Sequence, residues 1–121
     1  MSDAFPGARY RSKGYAVTST AAETVITPGD GSYLEITGVS ICTDDGSPST
    51  FSMHWIDSSD RECPATGWIL VYEATVPAAG HLRYEMLPLH LDPGDSLTIT
   101  GEANLVVTVT ALESSRNVGI G

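Results

Sequence analysis

The sequence predicts an all-β domain: an antiparallel β-sandwich of about eight strands, jelly-roll or immunoglobulin-like. Three observations carry this prediction. Apolar residues recur with period two, the spacing of a strand, in segment after segment. Proline, glycine and aspartate cluster between those segments at short intervals and supply turn chemistry. No stretch of 11 residues sustains an i, i+3, i+4, i+7 apolar stripe with good helix formers. The 121 residues leave room for one domain, and a chain this long buries roughly two-thirds of its unfolded surface without a disulfide framework.

In chain order, Tyr15-Ala16-Val17-Thr18 and Glu23-Thr24-Val25-Ile26-Thr27 are short strand candidates. Over 33–42, Leu34 and Ile36 hold one parity and Val39 and Ile41 the other, with Gly38 at the switch. Glycine inside a strand marks a bulge, so one is expected there. Over 50–57, Phe51, Met53 and Trp55 face one way, into the core, while Ser52 and His54 face the other. The segment 67–76 is apolar on both parities, with Trp68, Leu70 and Tyr72 against Ile69 and Val71. It is either a central strand or one with a face against a partner. Over 81–91, Leu82, Tyr84 and Met86 hand over to Leu87, Leu89 and Leu91 around Pro88. Proline cannot donate to a ladder, which predicts an edge or bent strand. Leu97 and Ile99 alternate with Ser96, Thr98 and Thr100, and Leu105, Val107, Val109 and Ala111 share one face of 104–113.

The connections Pro28-Gly29-Asp30 and Pro93-Gly94-Asp95 each pair a proline-set φ with a glycine suited to positive φ. Similar strand sequences follow them, Leu34-Glu35-Ile36-Thr37-Gly38 and Leu97-Thr98-Ile99-Thr100-Gly101. Duplication and convergent turn chemistry both explain that likeness.

Charge is uneven along the chain. The total is −9, yet residues 1–13 set Arg9, Arg11 and Lys13 against Asp3, which is +2 and leaves −11 for the rest. With Phe5 and Tyr10 but no period, residues 1–14 read as an extended arm. Such a segment is either a frayed terminus or a basic-aromatic strap for an acidic neighbour. Residues 15–113 form the sandwich in this reading, and 114–121 a tail.

Composition excludes several classes. Hydrophobic residues are 41% and charged residues 17%, the balance of a folded chain. The negative charge argues against nucleic acid, whose phosphates need a basic surface. The longest strongly apolar run, Trp68–Tyr72, is far short of the ~20 residues of a membrane-spanning helix. The first residues, Met1 to Gly7, lack the charged and apolar regions of a secretory signal, so synthesis in the cytoplasm is expected. Cys42 and Cys63 lack CxxC spacing and read as free thiols.

Candidate chemistry is thin. Gly94-Asp95-Ser96-Leu97 spells an esterase motif, but no histidine follows His90 to serve such a serine, and the residues read as a turn entering a strand. Cys42, His54, Cys63, His81 and His90 are too scattered for a zinc site. Asp57-Ser58-Ser59-Asp60-Arg61-Glu62 offers oxygen ligands without calcium-loop spacing, and Arg61 competes for the carboxylates. No spacing selects a pair of carboxylates for glycoside chemistry. Trp55, Trp68, Tyr72 and Tyr84 have the chemistry of a sugar-stacking platform, but the phase of Trp55 with Phe51 and Met53 favours core packing. The residues themselves therefore predict no enzyme, no cofactor and no metal.

The strand strings Leu34 to Thr43, Trp68 to Gly80, Leu91 to Gly101 and Asn104 to Glu113 together resemble small β-sandwich structural proteins of tailed bacteriophages. These include head decoration (cement) subunits, head-fibre bases and neck or tail adaptors. The resemblance covers about residues 15–113 and rests on structural motifs shared with other sandwiches. It implies a non-enzymatic virion subunit that oligomerises, as a trimer or larger, and braces a major capsid protein or another virion protein. Copies of itself are then the first expected partner. A carbohydrate-binding module that takes a host glycan is the other class considered. The interface expected on this reading is Phe5, Arg9, Tyr10, Arg11 and Lys13 of the arm, with Trp68 and Leu70 of the two-sided strand.

Overall fold

The structure, a computed structural model, describes residues 9–115; residues 1–8, with Phe5, and 116–121 lie outside the described residues. Eight strands follow one another: β1 (Arg9–Ala16), β2 (Glu23–Ile26), β3 (Ser32–Thr43), β4 (Ser49–Ile56), β5 (Trp68–Val76), β6 (His81–Leu91), β7 (Ser96–Gly101) and β8 (Leu105–Ser115). There is no helix among the described residues. The strands form two four-stranded sheets, ordered β1-β8-β3-β6 and β2-β7-β4-β5. Every pairing is antiparallel.

That order has a simple origin. The pairs β1–β8, β2–β7, β3–β6 and β4–β5 are those of a long hairpin with β1 to β4 running out and β5 to β8 running back. Winding this ribbon over itself brings β8 against β3 and β7 against β4, which completes both sheets. This is jelly-roll topology, so of the two sandwich types expected from sequence the jelly roll is the one formed.

The core lies between the sheets and follows the period-two pattern. Leu105, Val107, Val109 and Ala111 of β8, Leu97 and Ile99 of β7, and Phe51 and Met53 of β4 are all buried. In β3, Leu34, Ile36, Val39 and Ile41 are buried despite their change of parity. The pairing of β3 with both neighbours shifts between Ile36 and Gly38, so the expected bulge is present and returns Val39 and Ile41 to the core. A Cβ on Gly38 would sit 3.1 Å from Thr110 Oγ1, so any larger residue there needs that side chain to give by a few tenths of an ångström. Opposite that point the step from Glu85 to Leu89 in β6 faces the shorter step from Ile36 to Gly38, so β6 is both bent and an edge strand, as Pro88 suggested.

Three expectations change. Residues 9–14 are not an arm: they belong to β1, which pairs with β8 from Arg9↔Glu113 to Ala16↔Val106. Their period was invisible because the core-facing positions opposite Ala111, Val109 and Val107 are Arg11, Lys13 and Tyr15. Long side chains cover the sandwich rim with their stems while keeping polar ends in reach of partners. Residues 114–115 likewise continue β8 as part of its strand. Finally, of the two alternatives for β5 the central strand is excluded, because β5 lies at the edge of its sheet. Its apolar residues occupy both parities because its register with β4 shifts twice, between Phe51 and Met53 and between Met53 and His54.

The two Pro-Gly-Asp turns also differ. In the first, Gly31 and not Gly29 takes positive φ, and Ser32 N–H donates to the Gly29 carbonyl. In the second, Gly94 has φ 95° and Asp95 N–H donates to the Asp92 carbonyl. The strands that follow lie in different sheets.

Candidate functional site

Of the interface residues expected in the N-terminal segment, four are described, and all four lie in β1. Arg9 Nε donates to Glu113 Oε1 at 3.1 Å, and an Arg11 terminal nitrogen donates to Glu113 Oε2 at 3.1 Å. The Glu113 side chain is only 12% exposed, so it is a partly shielded anion clasped from two sides. Lys13 Nζ crosses to the other sheet, where it donates to the Val25 carbonyl at 2.8 Å and stands 5.3 Å from the Tyr15 ring centroid. Three cations are thus engaged by the chain's own body. Tyr10 has no such role and is 82% exposed.

A second polar knot fastens the turn after β1. The Glu23 carboxylate accepts from the Tyr15 hydroxyl, from the backbone N–H groups of Thr18 and Ser19, and from both of their hydroxyls. The Tyr15 hydrogen bond is the main reason the Glu23 carboxyl is held down at about 2 from the ordinary 4.5. The same bond, with burial, pushes the Tyr15 phenol up.

Among the described residues the most apolar exposed surface is on β5. Ile69 is 60% exposed, Tyr72 67% and Trp68 39%, while Leu70 packs partly against the core. Trp68 stands opposite Trp55 in register. Trp55 is half-buried at the rim, and its indole Nε1 is shielded without a hydrogen-bond partner among the described residues. Glu73, next to Tyr72, takes φ 47°, with its N–H donated to Ser52 Oγ at 2.9 Å. Beside it, a trough of about 460 Å³ has a mixed polar and apolar lining that includes Thr50, Phe51, Ser52, Glu73, Thr100 and Glu102.

The esterase-like residues serve the fold. Asp95 is buried and accepts from the Ser58 N–H and hydroxyl, both at 2.8 Å, and from the Asp92 N–H at 3.0 Å. It ties the loop after β4 to the turn before β7. No hydrogen bond joins Ser96 to a histidine: His54 stands opposite Thr98, and His90 lies in the other sheet beside Glu35. In the acidic loop, Asp57 accepts from Ser59 and Asp60 from the Glu62 N–H, each closing its own turn. Among the described residues no group of three or more His, Cys, Asp or Glu is placed to hold a metal. Cys42 is exposed in β3, Cys63 is half-buried in the loop before β5, and both are free thiols. The aromatic set is divided: Tyr84 packs edge-on to Phe51 at 6.3 Å, and only Trp68 and Tyr72 are exposed.

Sequence reasoning missed Glu113 and Glu23. The signal for Glu113 was present, because it continues the buried parity of Leu105, Val107, Val109 and Ala111. A carboxylate on a core-facing parity requires cations or hydrogen-bond donors as partners.

The geometry is that of an eight-stranded jelly roll with an apolar edge and no assembled set of reacting groups among the described residues. No family model matches the chain, and no curated protein matches it. Among solved structures, 89% of the chain aligns with 86% of a chain from the disulfide-linked pili of Bacillus endospore appendages, at 11% identity and TM-score 0.51. It is also similar to the nucleoplasmin-like N-terminal domain of Drosophila FKBP39, with 15% identity, TM-score 0.47 and coverage of 94% and 96%. A chain of the cyanophage Pam1 capsid aligns at 16% identity and TM-score 0.38, covering 93% of this chain and 90% of that one. At 11% identity the likeness to the pilus chain is one of fold alone.

Proposed function

We propose that this chain is a non-enzymatic structural subunit of a tailed-phage virion, a decoration subunit of the capsid that meets copies of itself or a major capsid protein through β5. The observation that carries the proposal is the exposure of Trp68, Ile69 and Tyr72 together on one edge strand. An apolar edge is a liability for a lone molecule, and burial against a neighbour removes it. The low share of charged residues, 17%, suits a surface partly covered by other subunits.

Light scattering across a concentration series tests the assembly. The native chain should exceed the 12.8 kDa of one copy, and the double variant Ile69→Asp, Tyr72→Asp should fall to that mass. An unchanged oligomer in the variant refutes β5 as the surface. Immunogold labelling of virions tests the location: label on heads is expected, and label confined to tails refutes a head decoration.

A further inference from the structure

Resting on the reading of this chain as an assembling subunit, we propose that β1 is an exchangeable strand: residues 9–17 of one copy fill the β8 edge of a second copy. Residues 18–22 serve as the pivot.

The first reason is how β1 is held. It is the one strand of the eight with no buried residue. Its grip is mainly polar, the ladder to β8, the Glu113 clasp, the Lys13 bond to the Val25 carbonyl and the Tyr15 bond to Glu23, with the Tyr15 ring packed partly against the core. Polar contacts of this kind exchange with water far more readily than core packing does. Val17, a core residue only 2% exposed, moves with the strand because its N–H is bonded to the Leu105 carbonyl of β8, and it is the one buried side chain that exchange must withdraw and seat again.

The second reason is what β1 would leave behind. Its departure uncovers a partly shielded carboxylate, Glu113, and one side of Val107, Val109 and Ala111, which are now 0–1% exposed. An open β8 edge also presents unpaired backbone groups. A strand with cations spaced to reach Glu113 and the Val25 carbonyl fills that edge, and β1 of another copy has them by identity. The charge complementarity therefore names a second copy as the occupant.

The third reason is the pivot. Residues 18–22 are exposed, and Thr18 and Ser19 are fastened through the Glu23 carboxylate and not through the core. Closed and exchanged forms have the same contacts everywhere else, so protein concentration and the pivot set the balance between them. Because β1 lies at the edge of its sheet with β8 as its one neighbour among the described strands, it leaves without breaking any other pairing.

Two charge variants test the proposal. The strand variant is Arg9→Glu with Arg11→Glu, and the edge variant is Glu113→Arg. Each places like charges together, whether β1 stays on its own body or exchanges with an identical copy. Mixed, they regain opposite charges only when β1 of each docks on the other. Native mass spectrometry with one variant isotope-labelled should show mixed pairs enriched about tenfold over like pairs. A native chain that assembles while the mixture shows no enrichment overturns exchange and leaves the assembly reading standing. A native chain and a mixture that both stay at one copy overturn both.

A second test does not depend on the charge variants folding. In a Cys42→Ser, Cys63→Ser background, Tyr10→Cys and Leu112→Cys chains are mixed and oxidised with diamide. These positions are directly opposite in the β1–β8 register. Exchange yields a covalent pair joining the two kinds of chain; its absence overturns the proposal.

Discussion

Phe51→Ala tests whether the two sheets share one core at the place where β4 meets β6. Phe51 is 2% exposed, and its ring meets Tyr84 of the other sheet edge-on, with centroids 6.3 Å apart and planes at 70°. Truncating a buried phenylalanine costs about 3–5 kcal/mol, since the transfer term and the cavity term add. A domain of this kind has about 5–15 kcal/mol in all, so the variant should remain folded but much weakened. In urea, with m of about 1–3 kcal/mol/M, the midpoint should drop by on the order of 2 M. Part of the loss belongs to the ring pair, which is worth about 0.5–1.5 kcal/mol beyond its area. Phe51→Leu and Tyr84→Leu, singly and together, isolate that part as a coupling energy. Denaturation followed by circular dichroism and tryptophan fluorescence gives all four stabilities. A Phe51→Ala loss below about 1 kcal/mol with unchanged m, or strict additivity of the two leucine variants, would refute the packing described.

Two further outcomes follow from local geometry. Glu23 has a folded pKa of about 2, below its ordinary 4.5, so its contribution to stability is full above about pH 4.5 and is lost as pH falls through about 2. The stability gap between native chain and Glu23→Gln should therefore be constant near neutrality and shrink in acid; a gap independent of pH in urea titrations would contradict the Tyr15–Glu23 assignment. Gly67→Ala should cost at least about 1–2 kcal/mol, because Gly67 has φ 94° and a Cβ there would lie 2.8 Å from the Trp55 carbonyl oxygen. Gly29→Ala, with nothing within 4 Å of its Cβ position, should be close to neutral, and equal midpoints for the two variants would argue against the turn before β5.

How much of this molecule was legible in its sequence depended on who supplies the partner for each residue. In β8, β7 and β4 the inward residues are apolar and the outward ones mostly hydroxyl-bearing, so period two was enough. In β3 the change of parity and Gly38 together announced a bulge, because only an extra residue keeps Ile36 and Val39 on one side. For β1 the method failed for a physical reason: Arg11, Lys13 and Tyr15 face a rim where stems and polar ends do the covering, and no apolar alternation is needed. The strand order was also out of reach, since β1 finds β8 and β2 finds β7 across most of the chain, and turn chemistry fixes only neighbours such as β4 and β5. The candidate surface was half legible. Trp68 and Leu70 were expected at an interface, yet the register shifts in β5 turn Ile69 and Tyr72 outward and draw Leu70 toward the core. The apolar doubling of 67–76 thus corresponds to one face packed partly on the core, through Leu70, Val71 and Ala74, and one left exposed, through Ile69 and Tyr72. The same reasoning extends to Glu113. A carboxylate on the buried parity of β8 needs a cation or hydrogen-bond donors, the cations of residues 9–13 are the one basic cluster in the sequence, and pairing Arg9 and Arg11 with Glu113 makes that segment a strand beside β8.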